Sequence, residues 1–294
     1  MKILIAIASK EYSGPTLRVG MQIAKALNAS TTIVDVAEKA SKFNAKVVGL
    51  VQERMDSWEF DRPGIDILEW AFNFLAENKY ISPTLVEEGF PKNTLIEMEG
   101  NRSEVFLKGT ICKDVQLILR TGDIIAELRD EVKLGKYDVT IIGGSGKRRM
   151  AHDLIQYIDS SIFIVNQFDP NQKYRILLAV DDSTGTKGAV KFGIRVAQAF
   201  NIEVDILTVS KIDKFGSGYK SAAKRAGKFM TRAGIKFENI YRVGDPAEVI
   251  KNEAGDNHII IMGASSKNPI MKFIKGSKPL KVMEDCKCPI LIVK

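Results

Sequence analysis

The sequence predicts an α/β protein made of two tandem doubly wound domains, each with a mostly parallel five-stranded sheet flanked by helices. Three observations predict it. Short apolar runs of strand length alternate with stretches carrying apolar residues at helical spacing. The alternation halts at a polar, proline-containing segment, Asp169-Pro170-Asn171-Gln172-Lys173, and then restarts. The two passes also share matching segments, which is the mark of a duplicated domain rather than a short-period solenoid. Alternating strands and helices in each pass imply parallel strands with helices on both faces.

In the first pass, Lys2 to Ile7 reads as a buried strand. Pro15 to Leu27 places Leu17, Met21, Ile23, Ala24 and Leu27 on a helical stripe. Thr31 to Val36 is a strand rich in β-branched residues. A helix is expected over Lys42 to Trp58, a break at Asp61-Arg62-Pro63-Gly64, and another helix over Ile67 to Tyr80. Thr94 to Met98 and Val105 to Leu107 flank Glu99-Gly100-Asn101-Arg102 and read as a hairpin. Strand Val115 to Leu119, a helix over about 124–136, strand Asp138 to Ile142, a short helix and strand Ser161 to Val165 complete the pass.

The second pass starts with strand Arg175 to Val180 and a helix over Thr186 to Phe200. Strand Val204 to Val209, a basic helix over Ser217 to Ala233 and a strand near Asn239 to Val243 follow. A helix from Pro246, strand His258 to Met262, a last helix and the run Pro289-Ile290-Leu291-Ile292-Val293 close it. Leu119-Arg120-Thr121-Gly122-Asp123 matches Tyr241-Arg242-Val243-Gly244-Asp245, each ahead of a helix. Asp138 to Gly143 matches His258 to Gly263. The predicted division is residues 1–167, with an insertion over about 82–114, a linker over 168–173, and residues 174–294.

With 45% hydrophobic and 27% charged residues among 294, the composition is that of a globular protein able to bury a core. No apolar run reaches the roughly 18 residues of a membrane span. The apolar run at the N-terminus is short and lacks a convincing cleavage site, so it reads as a strand. Three cysteines, Cys112, Cys286 and Cys288, make no disulfide framework, and a cytoplasmic location is expected. The charge is uneven. From Pro170 onward there are 22 Lys+Arg against 12 Asp+Glu, and before it 21 against 24, so the net +7 belongs to the second half and favours an anionic partner there.

The stretch with the most chemistry is Ile259-Ile260-Ile261-Met262-Gly263-Ala264-Ser265-Ser266, followed by Lys275-Gly276-Ser277. A strand that ends in small residues lets main-chain N–H groups approach a ligand closely, and Ser277 adds a hydroxyl near an expected helix start. An anion, most naturally phosphate, suits such a pocket. A turn that uses small residues only for packing is the competing reading. In parallel sheets ligands bind beyond the C-terminal strand ends, where Asp181, Val209 and Gly263 all fall.

At these residues the sequence resembles the universal stress protein family in its tandem two-domain form. The family's nucleotide-binding members carry Gly-x-x-Gly, nine residues, then Gly-Ser/Thr. Here Gly263-x-x-Ser266, nine residues and Gly276-Ser277 stand in that order, with Ser266 replacing the second glycine. Ala179-Val180-Asp181-Asp182-Ser183 resembles the family's opening, with Asp182 in place of its glycine, and Cys288-Pro289-Ile290-Leu291-Ile292-Val293 its closing strand. The resemblance spans Tyr174 to Lys294 and is weaker before Gln167. It implies an adenine nucleotide alpha-hydrolase-like fold and a site for ATP or AMP, with or without Mg²⁺. Gly263, Ser266, Gly276 and Ser277 would cradle phosphates, Asp181 would face the nucleoside, and the main chain around Val209 would bond adenine. It further implies that final strands pair between domains, giving an internal pseudo-dimer, and that whole chains could pair into a homodimer.

The first pass departs further from the family pattern. It has Ala8-Ser9 where the second has an aspartate, and Gln156-Tyr157 where Gly-Ser would stand, so one competent site per chain is expected, in the second domain. Gly143-Gly144-Ser145-Gly146-Lys147 fails as a P-loop, because Ile141 and Arg148 occupy positions needing Gly and Ser/Thr. Cys286-x-Cys288 lacks the further ligands of a metal site. Lys220, Lys224, Lys228 and Arg232 form one basic stripe, read as a solvated helix face in preference to a nucleic-acid surface. Trp58, Trp70, Phe72 and Phe74 read as core residues. No catalytic set is identifiable, and any ATP hydrolysis should be slow. A nucleotide-dependent stress-response or regulatory module leads. A scaffold with vestigial pockets and a slow ATPase remain as alternatives.

Overall fold

The computed structural model describes residues 1–37, 64–91, 96–98, 102–144, 154, 157–166, 168–264, 286 and 288–294. The expected helices over Lys42 to Trp58, between Gly143 and Ser161, and after Met262 lie wholly or largely outside these residues, as does Trp58. The described elements of the first half are β1 (Lys2–Ile7), α1 (Lys10–Leu27), β2 (Ser30–Ala37), α2 (Ile65–Glu77), α3 (Pro83–Glu88), β3 (Ile96–Met98), β4 (Arg102–Leu107), β5 (Val115–Thr121), α4 (Ile124–Gly135), β6 (Val139–Gly143) and β7 (Ser161–Val165). Those of the second are β8 (Arg175–Ala179), α5 (Gly185–Phe200), β9 (Val204–Ser210), α6 (Ser217–Arg232), β10 (Phe237–Val243), α7 (Pro246–Ala254), β11 (His258–Gly263) and β12 (Ile290–Val293).

These strands form one sheet of twelve, in the order β10-β9-β8-β11-β12-β7-β6-β1-β2-β5-β4-β3. The expected pair of five-stranded parallel runs is there, β10-β9-β8-β11-β12 and β7-β6-β1-β2-β5, but the runs are joined edge to edge. The joint is antiparallel, with Leu291 opposite Phe163 and Ile290 opposite Ile164. Asn166 adds to it by donating from Nδ2 to the carbonyls of Cys288 and Cys286, at 3.1 and 3.3 Å. The stretch expected to be an insertion holds β3 and β4, an antiparallel pair laid on the β5 edge. Met98 pairs with Arg102, so the second hairpin strand begins three residues ahead of the expected Val105.

Strand residues alternate between two cores because successive side chains point to opposite faces. Ile3, Ile5 and Ile33 pack with α1, α2, α5 and α6, whereas Leu4, Val34, Ile260 and Ile292 pack with α4 and α7. The matched sequence segments have local causes. Gly122 and Gly244 take φ of 156° and 148°, and the aspartates after them cap helices. Asp123 accepts from Ala126 N–H at 2.9 Å, and Asp245 accepts from Ala247 N–H at 3.1 Å. Arg120 and Arg242 each bond a glutamate of the following helix, Glu131 and Glu253.

Several boundaries differ from expectation, and α2 runs Ile65–Glu77 instead of Ile67 to Tyr80. α1 begins at Lys10 rather than Pro15, since Ser13 N–H donates to Ser9 O at 2.9 Å and closes a turn ahead of the proline. Only the carbonyl four residues before Pro15 loses its helical donor. The Lys220, Lys224, Lys228 and Arg232 stripe is exposed, as a solvated face should be.

Candidate functional site

In the second half the strand order reverses between β8 and β11, which opens a crevice beyond their C-terminal ends. Three of the six sequence-predicted site residues come to it. Asp181 follows β8, Val209 is the penultimate residue of β9, and Gly263 ends β11. Ser266, Gly276 and Ser277 lie outside the described residues.

Asp181 is half-buried and shapes its own loop. Its Oδ1 accepts from Ser183 N–H at 3.0 Å and from the Ser183 hydroxyl at 2.5 Å, and lies 2.7 Å from Thr186 Oγ1. Asp181 N–H in turn donates to Thr186 Oγ1 at 3.2 Å. Oδ1 is therefore committed to the loop, and Oδ2 is the oxygen left to meet a ligand. Tyr219, at the start of α6, is held above the usual phenol range by burial and then by the charges of Asp182 and Asp181.

Val209 is well placed to expose main-chain groups. The β8–β9 ladder ends at Ala179 opposite Leu207, with one more bond from Val180 N–H to Leu207 O at 2.8 Å, whereas β9–β10 pairing runs on to Ser210. Main-chain groups alternate sides along a strand, so those of Val209 share the β8 side with Leu207 and stand beyond the last of those pairings. Gly263 has a second duty that the sequence conceals. A Cβ there would lie 2.3 Å from the carbonyl carbon of Gly185 and 2.4 Å from its oxygen, so the first turn of α5 rests directly on the end of β11. The glycine serves packing whether or not a ligand approaches.

The equivalent place in the first half is a small cavity of about 70 Å³. Ala6 and Ala8 from the end of β1, Val34 and Val36 from β2, and Ile124 and Leu128 from α4 line most of it. Ser13 also reaches it, and its Oγ accepts from Ala8 N–H at 2.9 Å and Ser9 N–H at 3.2 Å. Sequence reasoning missed this cavity, although small residues alternating at the end of β1 with valines on one face of β2 were a readable sign. On the opposite face of β2, Asp35 is buried against Gly64 and the start of α2. Burial, reinforced by Asp66 and opposed by a Val36 main-chain bond, pushes its carboxyl up to about 7.

Two charged networks lie away from the crevice. At the N-terminal ends of β8, β9 and β11, Arg175 grips Asp205 at 2.6 and 2.8 Å while His258 Nε2 meets the same carboxylate at 3.0 Å. Burial would raise Asp205, but Arg175 and His258 outweigh it and hold it low. In the first half, Glu131 Oε2 accepts from Arg102 Nε at 3.0 Å and Arg120 Nε at 2.8 Å, and Oε1 lies 3.0 Å from the Tyr137 hydroxyl. Both read as structural clamps. Cys286 and Cys288 are buried thiols, and the described residues hold no group of three or more His, Cys, Asp or Glu fit for a metal. No helix among the described residues is long and apolar enough to cross a membrane.

Comparison with known proteins agrees with this picture. The family model described as the Universal stress protein family matches residues 174–294. A universal stress protein of Methanocaldococcus jannaschii is 26% identical over 138 residues, which is 41% of this chain and 81% of that protein. Among solved structures, a universal stress protein from Archaeoglobus fulgidus superposes with a TM-score of 0.60 at 15% identity, covering 100% of this chain and 96% of that one. A functionally unknown protein from Pseudomonas aeruginosa gives a TM-score of 0.58 at 13% identity, with 100% and 92% covered. These two likenesses establish the fold over the full length.

Proposed function

The chain belongs to the universal stress protein family through residues 174–294, and on that premise we propose that its second half binds one adenine nucleotide, ATP or AMP, as a cytoplasmic regulatory module of the stress-response type. The observation that carries the reading is the meeting of Asp181, the unpaired side of Val209 and Gly263 at one strand-order reversal. A main-chain edge suits the base, a carboxylate oxygen suits a ribose hydroxyl, and small residues after β11 suit phosphate. Ser266, Gly276 and Ser277 complete the cradle in this reading, with Mg²⁺ accompanying ATP. The basic excess of the second half favours an anion in the same place.

The second reading, a scaffold with a vestigial crevice, is favoured by one observation: Oδ1 of Asp181 and the glycine at 263 both have structural employment already. Calorimetric titration of the full chain with Mg-ATP and with AMP separates the two. One site per chain, lost in Gly276→Asp, is expected. No heat of binding from the unaltered chain would leave the scaffold reading, and two nucleotide sites per chain would overturn the assignment to the second half alone.

A further inference from the structure

We propose that β10 is a docking edge for a second copy of this chain, which adds antiparallel about a two-fold axis at Ile240 and joins the two twelve-stranded sheets into one. The inference does not rest on the nucleotide reading. β10 ends the sheet, and among the described residues no strand lies beyond it. Its counterpart in the first half, β5, is covered by β4, whose Leu107, Val105 and Ser103 stand opposite Val115, Leu117 and Leu119. The matched segments Leu119 to Asp123 and Tyr241 to Asp245 carry those three onto Phe237, Asn239 and Tyr241. An edge strand left bare is ordinarily short or interrupted. The edge at β3 has three residues, whereas β10 has seven in unbroken register with β9 and contains neither proline nor lysine. Its Tyr241 and Val243 are 39% and 46% exposed, so apolar surface lies along the open edge.

The ladder fixes which main-chain groups that edge offers. Val204 N–H donates to Lys236 O and Gly244 N–H to Ser210 O, so the even-numbered residues turn their N–H and C=O groups to β9. Those of Phe237, Asn239, Tyr241 and Val243 therefore face outward. Antiparallel pairing centred on Ile240 sets Phe237 opposite the second copy's Val243 and Asn239 opposite its Tyr241. Every outward residue then enters a hydrogen-bonded pair. The same register sets Glu238 opposite Arg242 twice, once on each side of the axis. Arg242 has one acidic partner in its own chain, Glu253 of α7. Its counterpart Arg120 has two, Glu131 and Glu127, and Val249 stands at the place of Glu127. The second copy's Glu238, which is exposed, supplies the second carboxylate. Such a contact closes on itself and buries one strand edge per chain, so the dimer is weak and concentration-dependent.

Sedimentation equilibrium of the full chain over a concentration series is the test, and a monomer–dimer equilibrium is expected. Asn239→Pro removes an outward N–H without touching the β9 ladder and should abolish dimerisation, while a thermal melt verifies the fold. Glu238→Arg and Arg242→Glu each set like charges opposite one another and should weaken self-association about ten-fold. Mixed together, these two variants carry opposite charges at both positions and should regain the dimer. A monomer at every concentration, growth beyond two chains, or a dimer indifferent to Asn239→Pro overturns the proposal. So do single-charge variants that fail to complement each other when mixed.

Discussion

Thr186 Oγ1 lies 2.7 Å from the carboxylate of Asp181 and 3.2 Å from its main-chain nitrogen, so one hydroxyl ties both ends of the residue at the mouth of the crevice. Thr186→Val keeps the shape and removes the hydroxyl, leaving Asp181 N–H and Oδ1 each short of a partner. A loss of about 1–2 kcal/mol in urea unfolding is expected. Thr186→Ser should restore most of it. If Oδ2 serves a ribose only when Oδ1 is held, AMP affinity measured by calorimetry should fall with the valine and return with the serine.

Gly263→Ala separates packing from ligand contact. Its added methyl would run into the Gly185 main chain, with no flexible side chain to yield. A stability loss of about 1–3 kcal/mol, read as a lower unfolding midpoint without nucleotide, is expected. An unchanged midpoint would mean that the glycine is kept for ligand approach alone.

Glu131 accepts from two arginines and is almost wholly buried. Burial would raise its pKa, but hydrogen bonds and charge from Arg102 and Arg120 outweigh this and hold it low. Glu131→Gln removes the carboxylate the two arginines share but leaves Arg102 paired with Glu104 and Arg120 with Glu127, so a cost of about 1–3 kcal/mol is expected from chemical denaturation. Because the folded pKa is depressed, the network's contribution should be present above the ordinary carboxylate range and fade as pH falls below it. A urea series between pH 3 and 6 measures that slope, which the glutamine variant should flatten.

Asp35 has the opposite sign. Its ordinary value of 3.8 is raised to about 7 by burial and Asp66, so between those limits the folded chain holds a proton that the unfolded chain has released. Stability should therefore decline as pH rises through that window, by about 2–4 kcal/mol in all. Asp35→Asn should remove this decline and raise the unfolding midpoint at pH 8, while changing little at pH 4. A variant that destabilises equally at both values would show that the carboxylate makes a contact worth more than its desolvation costs.

What the sequence discloses and what it hides divides by the range of the interaction. The Gly-Asp pairs at 122–123 and 244–245 were legible because capping is settled within four residues. The hairpin over β3 and β4 was legible from its turn residues. The start of α1 was not, because a proline marks where a helix bond is lost and not where the helix must begin. Asp181 could be picked out as a strand-end carboxylate, but the inward turn of Oδ1 depends on where Thr186 lands. Gly263 looked like a phosphate-loop glycine because its neighbour Gly185 is distant in sequence.

The antiparallel joint between β7 and β12 sets the two halves head to tail, so their crevices open at opposite poles of one sheet. A symmetric pair of identical subunits must accept every substitution twice, once at each pole. This chain carries both poles in one polypeptide and is free of that obligation, which is how Ala8 and Asp181 can occupy matching places.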